Sequence, residues 1–187
     1  MLEFLRFQKG SSYYDKNYIN KEKGRHYKEV GFLPMWELMK IPDCKILDIG
    51  CGVGHLAHYL KDKGFKNYTG IDFSGVAIER AKQEVPEFSF CQMDIFSKEF
   101  KELLKNDFDL YICCEVLEHL RGDKKLLQLL KPRPIIFTVP IFHHESHVRF
   151  FLTKEDVYKR YEDIVDIKEY AFYKKWHIIK GQIRQKN

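Results

Sequence analysis

The run Ile46-Leu47-Asp48-Ile49-Gly50-Cys51-Gly52-Val53-Gly54 constrains this chain more than any other feature. A short apolar strand enters a turn with glycine at every second position, and a helical pattern begins just behind it at Leu56. Glycine takes positive φ without steric cost and lets other atoms approach the main chain closely. Alternating glycines at 50, 52 and 54 exceed what a plain strand-to-helix turn needs, so the turn is read as a ligand site at the end of a buried strand.

The pattern beyond the turn is regular. Apolar runs at 45–49, 68–71, 88–92, 108–113 and 135–139 alternate with helical patterns at 56–61, 76–84, 99–105 and 124–130. Continuous apolar strands separated by helices predict an α/β chain with a mostly parallel sheet covered by helices on both faces. Two further runs, 164–170 and 176–182, lie too close together for a crossover and predict an antiparallel hairpin, making about seven strands. Ser74 and Ser97 stand where helix N-caps are wanted, and Thr153-Lys154-Glu155-Asp156 resembles a capping box. Residues 1–43 differ in character, being rich in tyrosine and charge and ending at Pro34 and Pro42. They are expected to form a cap or lid on a domain spanning 44–187. Tyr13, Tyr14 and Tyr18 in that cap have about helical spacing, which suits packing, though hydroxyl-bearing rings could also orient a cation.

Composition narrows the classes. A chain of 187 residues with 44% hydrophobic content builds one well-buried core. Its charge of +5 comes from 32 cationic and 27 anionic residues that are interspersed rather than run together. No basic stripe marks a helix or strand, so a small-molecule partner is favoured over nucleic acid. Arg25, His26, Lys28 and Arg149 are candidate contacts for an anionic substrate. The five cysteines contain no C-x-x-C pair. That excludes a zinc knuckle and a disulfide framework and suits a reducing compartment. No apolar run approaches the roughly 18 residues of a membrane helix, and residues 1–9 lack a cleavage pattern, so a cytoplasmic protein is expected.

A dinucleotide fingerprint needs glycine at position 55, where this chain has histidine. Asp48 would sit awkwardly beside a pyrophosphate but suits a ligand carrying ammonium and sulfonium charge. Asp72, about 20 positions after the turn, can accept both ribose hydroxyls. Asp94 ends the third strand, placed to accept from an adenine amino group while Ile95 packs on the ring. Carboxylates at the carboxyl ends of three successive strands mark the edge where open α/β sheets bind ligands.

These segments, with Gly70–Ser74, Met93–Ile95, Phe108–Leu120 and Thr138-Val139-Pro140, resemble the class I S-adenosylmethionine-dependent methyltransferases over residues 44–182. The resemblance implies a Rossmann-like doubly wound fold and S-adenosylmethionine as cofactor. It implies a cofactor shell of Asp48, Gly50, Cys51, Gly52, Gly54, Asp72, Phe73, Asp94, Ile95, Cys114 and Glu115. Where many relatives have a lysine-proline-glycine-glycine turn, this chain has Lys131-Pro132-Arg133-Pro134. That departure changes a turn and no ligand.

The remaining chemistry lies in Phe108–Leu120, read as a strand followed by a helix that carries Glu115, Glu118 and His119 on one face. Phe142-His143-His144-Glu145-Ser146-His147 comes later, after the fifth strand. The favoured reading is metal-free. His119 or His147 serves as general base with Glu118 beside it, because histidine suits proton removal near neutral pH. The acceptor is then an oxygen or nitrogen of a small molecule, as in ubiquinone-type methyltransferases. In the alternative, Glu115, Glu118, His119 and a later histidine hold Mg, Mn or Fe, as in the RNA 3′-end 2′-O-methyltransferases. A cofactor-binding partner protein without transferase activity would share the glycine motif and is the second alternative.

Overall fold

In the computed structural model, which describes residues 2–3, 8–21, 28 and 33–185, every apolar run of the alternating region is a strand. The amino-terminal elements are β1 (Leu2–Glu3), α1 (Ser11–Lys21) and α2 (Leu33–Met39). Then come β2 (Ile46–Ile49), α3 (His55–Asp62), β3 (Tyr68–Asp72), α4 (Gly75–Glu84), β4 (Ser89–Gln92) and α5 (Lys98–Leu103). After β5 (Leu110–Cys114), a 3₁₀ turn (Leu117–His119) and α6 (Asp123–Leu129) lead to β6 (Pro134–Pro140). The chain ends with β7 (Arg149–Phe150), α7 (Lys154–Tyr161), β8 (Val165–Tyr173) and β9 (Trp176–Ile183). The seven-stranded sheet has the order β4-β3-β2-β5-β6-β9-β8, and β1 pairs with β7 in a second, two-stranded sheet. The fold is α/β with a mostly parallel sheet.

Residues 10–109 form one compact unit. In it β3 runs parallel to both β2 and β4, with Ile46 opposite Tyr68 and Asp72 opposite Gln92. All four residues of β2 are buried. A strand covered on both faces cannot alternate polar and apolar positions, and so its sequence reads as a continuous apolar run. The expected caps are present: Ser74 Oγ accepts from Ala77 N at 3.1 Å, and Ser97 Oγ from Phe100 N at 3.1 Å. In α2, Met35, Trp36 and Met39 are buried, and the Trp36 ring lies 5.6 Å from Tyr59. Helices α1 and α2 thus belong to the same unit as the glycine turn.

Residues 110–185 form the second unit, which also takes in the described residues before 10. β1 joins it by backbone pairing, Leu2 opposite Phe150 and Glu3 opposite Arg149. β5 and β6 are parallel, whereas β9 pairs antiparallel with both β6 and β8, giving the predicted carboxy-terminal hairpin. Thr153 and Asp156 make the predicted capping box at α7. This helix buries Tyr161, whose ring lies 5.3 Å from Phe137 and 5.7 Å from Phe151. The Lys131–Pro134 departure is a tight turn, closed by Arg133 N donating to Lys131 O at 2.8 Å.

Candidate active site

In residues 10–109 the glycine turn forms as predicted, with φ of 79°, 54° and 84° at Gly50, Gly52 and Gly54. Gly50 N and Cys51 N both donate to Ile71 O, at 2.8 and 3.0 Å. Asp72 completes the turn from the neighbouring strand: Oδ2 accepts from Gly52 N at 3.0 Å and Oδ1 from Ser74 N at 2.9 Å. A carboxylate has about four acceptor sites, so these bonds leave it capacity for a further donor. Burial raises the Asp72 carboxyl above its usual range, against the opposing pull of these backbone donors. A Cβ at Gly52 would stand 3.1 Å from the Tyr18 hydroxyl, and one at Gly54 3.1 Å from Ala81 Cβ. Side chains at Gly52 and Gly54 would crowd these neighbours, so at those two positions the turn offers backbone.

Asp48 is buried and accepts from the Tyr68 hydroxyl at 2.5 Å. Burial pushes its carboxyl up to about 7; the Tyr68 bond opposes the shift and the Asp72 charge adds to it. Sequence reasoning missed Tyr68. It opens β3 opposite Ile46, two residues before Asp48 on β2, and only strand register reveals the pairing. Asp94 lies beyond the end of β4, exposed, its Oδ1 capping Phe96 N at 2.8 Å. Ile95 and Phe73 are half-buried, and Cys51 is buried with Sγ 3.6 Å from Gly52 O. From α1, Tyr14 packs on Phe73 at 5.1 Å and Asp15 accepts from Ser74 Oγ.

In the second unit the segment after β5 departs from expectation. Glu115, Glu118 and His119 do not share a helical face. Glu115 is a non-glycine residue at φ 57°, which ends the strand sharply, and only Leu117–His119 is helical, as a 3₁₀ turn. Glu115 is bonded across the sheet instead. Its carboxylate accepts from Thr138 Oγ1 at 2.8 Å and Trp176 Nε1 at 2.6 Å. Burial raises the Glu115 carboxyl to about 7, with those two bonds opposing. Thr138 and Trp176 were not foreseen, because their strands meet Glu115 only through the sheet. Cys114, half-buried, ends β5 beside it.

Glu118, His119 and His147 do come together. Glu118 is fully buried, and among the described residues neither carboxylate oxygen has a hydrogen-bond partner. His119 Nδ1 faces Ser146 O at 3.0 Å, and His147 Nδ1 faces Phe142 O at 3.2 Å. A ring nitrogen facing a carbonyl must carry the proton, which leaves a lone pair on each Nε2. The two rings lie 4.8 Å apart, and His119 Nε2 is 3.8 Å from Glu118 Oε1. Burial holds His119 down to about 4 and His147 to about 3, the latter with a contribution from His119. It pushes Glu118 well above the carboxylate range, with Glu115 adding to the shift. His143 and His144 are exposed, and the His144 ring lies 5.4 Å from that of His147.

Arg149 corrects another expectation. It is buried and bonded to backbone carbonyls and Asp123, because the main chain around the 3₁₀ turn needs its donors, so it does not offer itself to a substrate. Lys28 is exposed, and Arg25 and His26 lie outside the described residues. Among the described residues no helix is long and apolar enough to cross a membrane.

A glycine turn closed onto a strand-end carboxylate, in a sheet of this order, places the chain among the α/β proteins that bind ligands at the carboxyl edge of the sheet. The comparisons give the family. Residues 40–170 match the family model described as a methyltransferase domain, and the chain belongs to that family. It is 32% identical over 109 residues to a ubiquinone biosynthesis O-methyltransferase of Pasteurella multocida, covering 50% of this chain and 44% of that protein. Against the Rickettsia bellii protein of the same name it is 32% identical over 125 residues, 64% and 46% of the two chains. The chain thus spans less than half the length of these curated relatives. Among solved structures, N-methyltransferase NodS from Bradyrhizobium japonicum superposes with a TM-score of 0.68 at 17% identity, covering 95% of this chain and 100% of that one. The methyltransferase domain of bacterial CtHen1 gives 0.64 at 20% identity, covering 84% and 99%. At such identities these two likenesses concern the fold.

Proposed function

We propose that this chain binds S-adenosylmethionine in the Gly50–Gly54 turn and transfers its methyl group to an oxygen or nitrogen of a small molecule, in the cytoplasm. The observation that carries the reading is the bare glycine backbone closed onto Asp72, which leaves carboxylate lone pairs free for ribose hydroxyls. When bound, the cofactor supplies a methyl group already activated on a sulfonium. Asp72 orients the ribose, Asp94 and Ile95 meet the adenine, and Asp48 contributes negative charge near the ammonium end. Phe73 and Cys51 border the cofactor, and α1 covers it with Tyr14 and Tyr18. The relatives named for ubiquinone biosynthesis support a small-molecule acceptor.

The protein's remaining task is to position the acceptor and take its proton. His119 Nε2 carries that step in this reading. The imidazole is neutral and its tautomer is fixed by Ser146 O, with Glu118 Oε1 3.8 Å from Nε2. Calorimetric titration with S-adenosylmethionine, S-adenosylhomocysteine and NAD tests the cofactor, and binding of NAD alone would sink it. Asp72→Ala should weaken cofactor binding by about 1–3 kcal/mol through unpaired ribose hydroxyls. Labelled cofactor incubated with metabolite extracts identifies the acceptor. His119→Ala and His147→Ala should then lower turnover far more than cofactor affinity; full turnover in both variants rules the base out.

One observation favours a second reading, in which a divalent cation sits at Glu118, His119 and His147 and the acceptor is a ribose hydroxyl at an RNA 3′ end. The three side chains offer ligand atoms within 4.8 Å of one another, and among the described residues the buried Glu118 oxygens have no hydrogen bond. Both Nε2 atoms are preset as ligands by the carbonyls behind them. A cation there would neutralise the buried carboxylate and polarise a bound hydroxyl. Transfer abolished by a chelator and restored by Mn or Mg would establish this reading, and transfer indifferent to both would exclude it.

A further inference from the structure

The 3₁₀ turn that carries Glu118 and His119 is three residues long and makes few bonds of its own, His119 N to Val116 O at 3.0 Å and Leu120 N to Leu117 O at 3.3 Å. Such a turn does not hold a geometry unaided. One of its carbonyls and two just beyond it are bonded by a single guanidinium. Arg149 Nη1 donates to Leu117 O at 2.8 Å and also to Leu120 O, and Nη2 to Arg121 O at 3.4 Å. Arg149 is itself 3% exposed and anchored behind by Asp123, whose Oδ2 lies 3.2 Å from Nη1. Asp123 is gripped in turn by Arg160 at 2.6 and 2.8 Å and by the Tyr161 hydroxyl at 2.8 Å.

The same segment brings His147. Val148 N donates to Glu118 O at 2.8 Å, and Arg149 follows directly. The planar fork of a guanidinium serves several carbonyls and a carboxylate together, which the compact ammonium of lysine cannot do. We infer that Arg149 is a positioning residue, holding the 3₁₀ turn so that the Glu118 carboxyl and His119 Nε2 face His147. This rests on the proposed role of those three side chains. Arg160 makes the natural comparison, because it grips the same Asp123 carboxylate from α7.

The test reads the imidazoles directly, so it does not depend on knowing the acceptor. Long-range ¹H–¹⁵N spectra of the full chain labelled at histidine report the tautomer of each ring, with assignment by His119→Asn and His147→Asn. In the wild type and in Arg160→Gln, both rings should show the neutral Nδ1-protonated pattern. In Arg149→Lys, His119 should lose that pattern and average between tautomers. The backbone amide spectrum and the affinity for S-adenosylmethionine should stay as in Arg160→Gln. If Arg149→Lys does not fold, Arg149→Gln is read in the same way. Wild-type tautomers in a folded Arg149 variant overturn the inference. So does an Arg160→Gln protein disturbed as strongly as Arg149→Lys, since the network would then serve only stability. Should His119 and His147 prove dispensable for transfer while the tautomers still depend on Arg149, the catalytic reading fails and the positioning does not.

Discussion

Asp48 has a local identity that is plain in the sequence and an electrostatic state that is not. Burial beside Tyr68 and Asp72 raises its carboxyl to about 7, so that the folded chain holds a proton the unfolded chain has released. Ionisation therefore costs stability above the unfolded carboxylate range, increasingly as pH rises to about 7, and the cost is relieved as pH falls toward 4. Asp48→Asn keeps an acceptor for Tyr68 without the charge. Its thermal midpoint in the absence of ligand should exceed the wild type's above pH 7, by at most about 4 kcal/mol equivalent, with the gain vanishing near pH 4. A gain independent of pH would show that Asp48 is not the titrating group. The same variant should bind S-adenosylmethionine less well, which would mark the charge as serving the ligand at the expense of the fold. At this scale the glycine turn was legible, since turn chemistry is local. Tyr68, Thr138 and Trp176 were not, because each reaches its carboxylate across strands rather than along the chain.

Among the elements, strands and capped helices were readable almost throughout, and the failure at 115–119 is instructive. The spacing of Glu115, Glu118 and His119 satisfies a helix, yet φ at Glu115 is 57° and the helical stretch shrinks to a 3₁₀ turn. Bonds to Thr138 and Trp176 hold Glu115 where local preference would not place it, and the side-chain pattern records only the spacing. The glycine turn behaves in the opposite way, with local need and tertiary packing in agreement. Gly54→Ala would add strain at φ 84° and a contact 3.1 Å from Ala81 Cβ and 3.3 Å from its Cα on α4. Gly64 has a similar φ of 88° with nothing within 4 Å of its added Cβ. Gly64→Ala should cost only the left-handed backbone term of about 1–2 kcal/mol. Gly54→Ala should cost more in chemical denaturation and also weaken cofactor binding. Equal losses in the two variants would mean that α4 yields freely and the turn is not close-packed.

For the whole molecule, charge and composition argue for a small acceptor: the net +5 is spread among 32 cations and 27 anions. An RNA enzyme would bind oligonucleotides with affinity falling steeply as salt rises, each phosphate contact releasing a counterion. Filter binding of a single-stranded RNA between low and physiological salt should accordingly show weak affinity and a shallow slope; a steep slope with metal-dependent transfer to a terminal ribose would favour the cation reading. The sequence by itself determined the α/β class, the strand order's parallel character, the helix caps and the glycine turn. Periodicity, capping and positive φ are properties of neighbours along the chain. The tertiary structure decided which groups the buried polar side chains are bonded to: Asp48 to Tyr68, Glu115 to Thr138 and Trp176, Arg149 to carbonyls and Asp123. It alone brought His147 beside Glu118 and His119, since the placing of side chains far apart in sequence is set by register and burial, which no short segment encodes.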